Sequence, residues 1–184
     1  MRPRMALTIA TWFGSGLWPP IPPIKEMGGT WGSLAAIPLC VLALWIASLI
    51  DGSYLPMFSY VAVMALVFLA GCWAVPTAEA VLGPMTDRKG KTRWHDQNPI
   101  VIDEVLGMLV AYTPFLYIHH DSLALLIVMF GVAFGLFRLA DIAKPWPVKK
   151  FDQMANAAGV MLDDTMAGLY AAAGVVVIEI IIGW

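Results

Sequence analysis

The acidic residues of this chain gather in three groups that lie far apart in the sequence. Asp103 and Glu104 are adjacent, Asp141 stands alone, and Asp163 and Asp164 form a second adjacent pair. Each group lies at the edge of a long apolar run, where ionised side chains are costly and usually functional. Clustered carboxylate oxygens are the ligands that suit a hard cation such as Mg²⁺. The three groups therefore form a candidate metal site if the fold brings them together.

Each acidic pair also has a plain structural alternative. A carboxylate in the first turn of a helix is stabilised by the helix dipole and can cap free N–H groups. Taken alone, Asp103–Glu104 and Asp163–Asp164 fit a cap as well as a ligand pair. Asp141 differs, because it lies near the predicted C-terminus of its helix, where the dipole disfavours an anion. The two acidic pairs and Asp141 are predicted to lie at the same depth in the membrane. This arrangement favours a functional site over separate helix caps.

Two basic residues accompany Asp141. Arg138, Asp141 and Lys144 are spaced three residues apart, so they lie along one broad helix face. Arg138 can form a structural ion pair with Asp141, or it can hold phosphate oxygens with help from Lys144. Gly131 and Gly135 lie upstream on a neighbouring stripe, and such a stripe is typical of close helix packing. This face is therefore predicted to point into a helix bundle.

Other metal and phosphate chemistries fit the sequence poorly. Zinc is disfavoured, because the chain has three histidines, and His119 and His120 are predicted at the opposite membrane face. His95 is predicted to lie on the same membrane face as the acids. It could act as a proton donor or a phosphate contact, but its spacing alone favours a plain loop residue. Neither Cys40 nor Cys72 is followed by the arginine of a cysteine phosphatase. No Gly-Lys-Ser/Thr loop or serine nucleophile elbow is present.

The apolar runs that must position these residues are long enough to cross a membrane. Hydrophobic residues make up 60% of the 184 residues and charged residues only 13%. A spanning helix needs about 20 mostly apolar residues. Five runs approach or reach that length, at residues 33–50, 57–82, 100–118, 123–142 and 160–182. The sequence predicts an all-α, polytopic membrane helical bundle, because only helices and closed barrels cross lipid and these runs are too long for barrel strands.

The ends of the chain and its charges complete the predicted topology. The N-terminal apolar run is broken by Gly14 and a group of prolines, so it is predicted to be an interfacial or re-entrant segment. Residues 1–184 are predicted to form a single domain. With five spans, all 11 lysines and arginines fall on one side of the membrane. By the positive-inside rule that side is the cytoplasm, which places the N-terminus and the acids inside and the C-terminus outside.

Four ordered blocks of the sequence resemble the phosphatidylglycerophosphatase A family over nearly the whole chain. The first block contains Phe13-Gly14-Ser15-Gly16-Leu17 and Gly29-Thr30-Trp31-Gly32-Ser33. The second contains His95-Asp96, Asp103-Glu104 and Gly107, and the third contains Phe137-Arg138, Asp141, Lys144-Pro145-Trp146-Pro147 and Asp152. The fourth runs from Gly159 to Asp163-Asp164 and Ala167-Gly168. One departure is the family's His-Gly-Gly-type loop, which reads Asn156-Ala157-Ala158-Gly159 here.

The resemblance implies Mg²⁺-dependent hydrolysis of phosphatidylglycerophosphate to phosphatidylglycerol and phosphate in a bacterial inner membrane. It implies that five acids are the catalytic groups and metal ligands: Asp103, Glu104, Asp141, Asp163 and Asp164. It implies phosphate contacts for a second set of residues: Arg138, Lys144, His95, Thr30 and Ser33. The implied partner is the phospholipid substrate, with no nucleic acid and no obligatory protein partner. Direct attack by water and an aspartyl-phosphate intermediate both stay open.

The main alternative function is an ion or proton transporter lined by acids. Transporter sites tend to lie near the membrane midplane at broken helices, whereas these acids are predicted at one end of the bundle. A lipid headgroup transferase would need a nucleotide site, for which the sequence has no clear motif. A non-catalytic assembly protein would leave the acidic cluster unexplained.

Overall fold

Helices make up most of the chain. The computed structural model describes residues 3–18, 27–86, 92–93, 95, 97–154 and 156–182. The helices in these residues are α1 Pro3–Ala10, α2 Gly28–Ser48, α3 Leu55–Leu82, α4 Ile102–Ala111, α5 Leu123–Ala143, α6 Val148–Asp152 and α7 Ala157–Ile182. Two 3-10 turns, Ser15–Leu17 and Thr113–Leu116, and an antiparallel pair of two-residue strands, β1 Met85–Thr86 and β2 Thr92–Arg93, complete them.

Four of these helices are long and apolar enough to cross a membrane: α2, α3, α5 and α7. Helices α2 and α5 have 21 residues each, which at a rise of about 1.5 Å per residue matches the roughly 30 Å hydrocarbon core of a bilayer. Their outward side chains are large and apolar; Leu66 on α3 and Ile181 on α7 are 67% and 76% exposed. Such a surface is stable against lipid and not against water. The predicted all-α membrane bundle is confirmed.

Helix α4 is shorter than the apolar run that contains it. Residues 100–118 form α4, with ten residues, followed by a 3-10 turn that begins just before Pro114. Every residue of α4 except Glu104 is buried, because the helix packs mainly against α7 and also against α2 and α3. Ten residues are about half of what a spanning helix needs. The predicted number of five spans therefore stays a prediction, and α4 forms the centre of the bundle.

Helices α4 and α7 pack backbone to backbone. A Cβ added to Gly168 would lie 2.4 Å from the carbonyl oxygen of Gly107, so only glycine permits this approach. Residues four apart lie on the same side of a helix. Asp103 precedes Gly107 by four residues, and Asp164 precedes Gly168 by four. The glycine contact therefore places these two carboxylates on the facing sides of two adjacent helices.

The Gly131–Gly135 stripe faces away from the bundle and does not mark a helix contact within it, whereas the neighbouring face of Arg138, Asp141 and Lys144 lines a cavity, as its predicted inward direction requires. Among the described residues, no heavy atom lies within 4 Å of the place where a Cβ would stand on either glycine. Helix α5 instead turns its opposite side toward α7, with Ala133, Phe137 and Ala140 buried. These three residues form the packed face of α5. In the sequence, their alternation of small and large side chains is harder to recognise than a pair of glycines.

The predicted orientation in the membrane stays a prediction. Five of the cations that support it lie outside the described residues: Arg2, Lys25, Arg88, Lys89 and Lys91. Among the described residues, Arg138 and Lys144 lie at the end of the bundle where α5 stops. His120 and Glu179 lie at the other end, with 3.1 Å between His120 Nε2 and Glu179 Oε1. The two ends of the bundle therefore carry different ionisable groups.

The α4–α7 contact predicts the effect of a single methyl group. Gly168→Ala should lower the midpoint of thermal unfolding in detergent, because overpacking a close contact costs about 1–3 kcal/mol. Gly131→Ala is the matched control, since its methyl group would enter open space, and should leave the midpoint unchanged or raise it slightly. Tryptophan fluorescence during heating measures both. Equal midpoints for the two variants would contradict the packing described here.

Candidate active site

The ends of several helices meet around one cavity of about 340 Å³. Helices α2, α4 and α7 have their N-terminal turns beside it, and α5 has its C-terminal turn there. All five acids predicted from the sequence line this cavity, as do both cations of α5: Asp103, Glu104, Asp141, Asp163, Asp164, Arg138 and Lys144. The structure therefore brings together residues that are separated by up to about 60 positions in the chain.

The N-terminus of α7 is capped by Asn156 and not by the acids of this helix. The side-chain oxygen of Asn156 accepts a hydrogen bond of 2.7 Å from the backbone N–H of Gly159, which satisfies a free donor of the first turn. Asp163 and Asp164 lie in the second turn, too far along the helix to cap it. The cap alternative is thereby removed for this pair. Asp103 and Glu104 do lie in the first turn of α4, where the dipole stabilises their negative charge.

Three of the acids form a group that fits a metal ion. Asp103, Glu104 and Asp164 each offer one carboxylate oxygen, and these three oxygens lie within 4.8 Å of one another. Asp103 and Asp164 are almost fully buried. Oε2 of Glu104 is also buried and accepts no hydrogen bond from the described residues. Like charges this close disfavour one another's ionisation unless a cation lies between them, and all-oxygen ligands suit Mg²⁺.

Asp163 is not a member of this three-carboxylate group, and its side chain pairs with Lys144. The Lys144 ammonium lies 2.9 Å from Asp163 Oδ2 and also pairs with Asp152 at the end of α6. Lys144 ends α5 in the left-handed conformation, with φ of 44°, and this turn starts the connection to α6 and α7. The predicted phosphate contact by Lys144 is untested; in the structure its charge is shared between two carboxylates.

Arg138 is fixed by partners on two helices. Its Nη1 lies 2.9 Å from Asp141 Oδ2, one turn further along α5, and donates a longer hydrogen bond of 3.4 Å to Ser33 Oγ on α2. The structural ion pair considered for Arg138 is therefore present. A guanidinium has five N–H donors, so this pairing leaves donors for a ligand in the cavity that Arg138 lines.

The other three predicted phosphate contacts lie outside the cavity wall. Ser33 is completely buried, and Thr30 is half-buried in the same part of α2. Nδ1 of His95 lies 3.2 Å from Glu79 Oε2, near the end of α3. Asp96, next to His95 in the same sequence block, lies outside the described residues. Direct phosphate binding by Ser33, Thr30 and His95 stays a prediction.

Gly29 is a site residue whose role the sequence did not indicate. It lines the cavity, and a Cβ added there would lie 2.3 Å from Oε1 of Glu104 and 3.2 Å from both terminal guanidinium nitrogens of Arg138. In the Gly-Thr-Trp-Gly-Ser block, the resemblance implied a role for Thr30 and Ser33 but none for Gly29. The one available signal was a Gly28-Gly29 pair at the start of a long apolar helix, where glycine lowers helix propensity and therefore needs a reason.

The comparison with known proteins identifies the family. The family model of phosphatidylglycerophosphatase A matches residues 8–179. The chain belongs to the phosphatidylglycerophosphatase A family. The resemblance carried by the four sequence blocks is thereby confirmed, as is the enzyme class that it implied, a hydrolase of phosphoric monoesters. No solved structure matches the chain.

Three curated relatives cover most of the chain. A phosphatidylglycerophosphatase A of Haemophilus influenzae is 35% identical over 89% of this chain and 82% of its own length. That of Escherichia coli is 31% identical over 89% of this chain and 77% of its own length. A Bacteroides thetaiotaomicron protein named "Putative phosphatidylinositol-3-phosphatase" is 30% identical over 97% of this chain and 96% of its own length. The relatives of this chain are thus named for two different lipid headgroups.

The division of the five acids predicts unequal roles in metal binding. Asp164→Asn should weaken the binding of Mn²⁺, a hard-cation substitute for Mg²⁺, by about tenfold or more, because it removes a charged oxygen ligand. Asp163→Asn is the matched control: the adjacent residue undergoes the same chemical change. It should alter the affinity by less than about threefold, because the Asp163 carboxylate is paired with Lys144. Titration calorimetry on the two purified variants measures the affinities, and equal losses would contradict the division.

Proposed function

We propose that this chain hydrolyses the terminal phosphate monoester of phosphatidylglycerophosphate in a Mg²⁺-dependent reaction that gives phosphatidylglycerol and inorganic phosphate. The observation that carries the proposal is the position of the three-carboxylate group and Arg138 on the walls of one cavity at the end of the long apolar helices. The names of two relatives support the substrate. A cation bound by the acids and a guanidinium opposite them are what a phosphate monoester requires.

Each part of the cavity has a distinct task in this reaction. Asp103, Glu104 and Asp164 would hold the Mg²⁺ ion, which when bound neutralises the phosphate and acidifies a bound water molecule. Arg138 donates hydrogen bonds to the phosphate oxygens, where negative charge is concentrated in the transition state. Asp141 holds the guanidinium in place at 2.9 Å. Attack by water and passage through an aspartyl-phosphate give the same products.

The position of the cavity suits a substrate that stays in the membrane. It lies at the end of α2 and α5, whose length matches the hydrocarbon core. Ile142, an exposed apolar residue of α5, forms part of the cavity wall next to Asp141. A phospholipid can therefore place its phosphate among the acids and keep its acyl chains in the bilayer. The positive-inside rule supports the cytoplasmic face of a bacterial inner membrane as the location.

A phosphoinositide is the second candidate substrate. The relative from Bacteroides thetaiotaomicron, named for phosphatidylinositol-3-phosphate hydrolysis, aligns with 97% of this chain. Both lipids present a phosphate monoester on a polyol headgroup, and the acids and Arg138 would contact only the phosphate. The headgroup must therefore be distinguished by assay.

The transporter alternative is not favoured. The acids that line the cavity lie at one end of the bundle, whereas transporter sites tend to lie near the midplane at broken helices. Glu179, an acid in the other half of α7, is buried at the opposite end and contacts His120. The described spans thus show no series of acids that connects the two ends of the bundle.

Phosphate release from detergent-purified protein tests the proposal. Turnover of phosphatidylglycerophosphate should occur with Mg²⁺, stop with a chelator and return when Mg²⁺ is restored. Phosphatidylinositol 3-phosphate in a parallel reaction decides between the two headgroups. Activity that resists chelation would contradict the metal requirement. No activity on either lipid, from protein shown to be folded, would contradict the function itself.

Removing one acid from the three-carboxylate group should abolish turnover. Asp103→Asn is expected to lower kcat/KM by more than about a hundredfold, because it removes a metal ligand and leaves the volume unchanged. Asp51→Asn is the matched control, since Asp51 is exposed in the connection between α2 and α3, at the other end of the bundle. The yield of membrane-inserted protein should be the same for both. Substantial activity in Asp103→Asn would exclude Asp103 from the site.

A further inference from the structure

The buried hydroxyl of Ser33 connects the first turns of α2 to the cavity. Ser33 has no exposed surface. Its hydroxyl donates a hydrogen bond of 2.7 Å to the carbonyl oxygen of Gly29, one turn earlier on the same helix. Because its only proton is used there, the oxygen can act only as an acceptor toward Arg138, whose Nη1 lies 3.4 Å away. The direction of both hydrogen bonds is therefore fixed.

The two partners of Arg138 occupy one end of the guanidinium. Nη1 carries two hydrogens, which are used by Ser33 Oγ at 3.4 Å and by Asp141 Oδ2 at 2.9 Å. Nη2 and Nε have no acceptor among the residues that the structure describes. Both remain available for a ligand in the cavity, which Arg138 lines. Ser33 on α2 and Asp141 on α5 thus both hold the guanidinium through Nη1. Nη2 and Nε are left for a ligand.

Negative charge close to Arg138 makes such an anchor necessary. A Cβ added to Gly29 would lie 2.3 Å from Glu104 Oε1 and 3.2 Å from Nη1 and Nη2 of Arg138. The carboxylate and the guanidinium therefore both lie next to Gly29. A guanidinium that moved onto Glu104 would pair with it and replace the cation that Glu104 is proposed to bind. Asp141 lies on the same helix as Arg138 and cannot by itself hold it against α2.

We propose that Ser33 is a positioning residue that holds Arg138 toward the substrate phosphate and away from Glu104. This inference rests on the proposed function. It replaces a direct contact between Ser33 and phosphate, because Ser33 is buried behind the cavity wall. The hydrogen bond to Arg138 is long, at 3.4 Å, and we expect it to shorten when phosphate draws the guanidinium into place.

The chain contains a matched control for the loss of this hydroxyl. Ser59 on α3 also donates a hydrogen bond of 2.7 Å to a carbonyl oxygen of its own helix, that of Pro56. No guanidinium contacts Ser59 in the described residues. Ser59→Ala therefore removes the same group and an intrahelical bond of the same length, at a partly buried position that has no contact with Arg138.

The first measurements are kcat/KM and the dissociation constant of inorganic phosphate with Mg²⁺ present. Ser33→Ala should lower kcat/KM by about tenfold and weaken phosphate binding by a similar factor, as expected for one hydrogen bond to a charged group. Ser59→Ala should change neither. A purely structural role would reduce the amount of active protein and leave the dissociation constant unchanged, and that result would overturn the proposal. If Ser33→Ala does not fold, Ser33→Cys, which replaces the hydroxyl with a slightly larger and weakly hydrogen-bonding thiol, is compared in the same way.

A double-mutant cycle with Arg138→Ala completes the test. If Ser33 acts through Arg138, Ser33→Ala should have no further effect on kcat/KM once Arg138 is absent. An equal loss in both backgrounds would overturn the proposal. Failure of the proposed function is recognised separately, because the wild-type protein would then release no phosphate from either lipid, whereas the phosphate dissociation constants can be compared without turnover.

Discussion

Negative charge confined at the end of a membrane bundle is the constraint on which this structure depends. Five carboxylates face one cavity, and two cations line it with them. Arg138 pairs with Asp141 and Lys144 pairs with Asp163, which leaves Asp103, Glu104 and Asp164 with their ligand oxygens within 4.8 Å of one another. Buried like charges are stable together only with a proton or a cation between them. A divalent cation bound by these three acids, as proposed, would supply positive charge next to a guanidinium that can hold an anion.

The fold meets this constraint with a short helix at its centre. Because α4 is buried on all sides, it can place Asp103 and Glu104 among the ends of α2, α5 and α7 and need not present a face to lipid. The Gly107–Gly168 contact brings α4 and α7 to backbone distance, and the two aspartates one turn earlier follow from it. Gly29 leaves the room that Glu104 and Arg138 occupy. Small residues thus determine the distances between the charges, and the long apolar helices determine where the cavity lies relative to the bilayer.

The sequence predicted the parts of this arrangement that depend on length and residue type. Four long helices followed from apolar runs, and the acids were recognisable because ionisable groups are rare in such a chain. The features that depend on contacts between distant segments were out of reach. The burial of α4 comes from its contacts with α2, α3 and α7, and Pro114 is the one local sign that this helix ends within its apolar run. The Gly131–Gly135 stripe resembles a packing motif and faces outward, whereas Gly107 and Gly168, which do pack, are single glycines on different helices. Asp152 and Asp163, which pair with Lys144, and Arg138, which donates to Ser33, likewise lie on other helices than their partners.

The central claim is that a cation held by Asp103, Glu104 and Asp164 contacts the phosphate of a membrane lipid. The most direct measurement is pulsed electron paramagnetic resonance on the Mn²⁺-loaded protein, with a non-hydrolysable phosphonate analogue of phosphatidylglycerophosphate in the same micelle. We expect a ³¹P hyperfine coupling that shows a phosphonate oxygen on the metal, because Mn²⁺ takes the same oxygen ligands as Mg²⁺. Bound Mn²⁺ with no ³¹P coupling, when the analogue is shown to inhibit turnover, would place the phosphate elsewhere and exclude this contact.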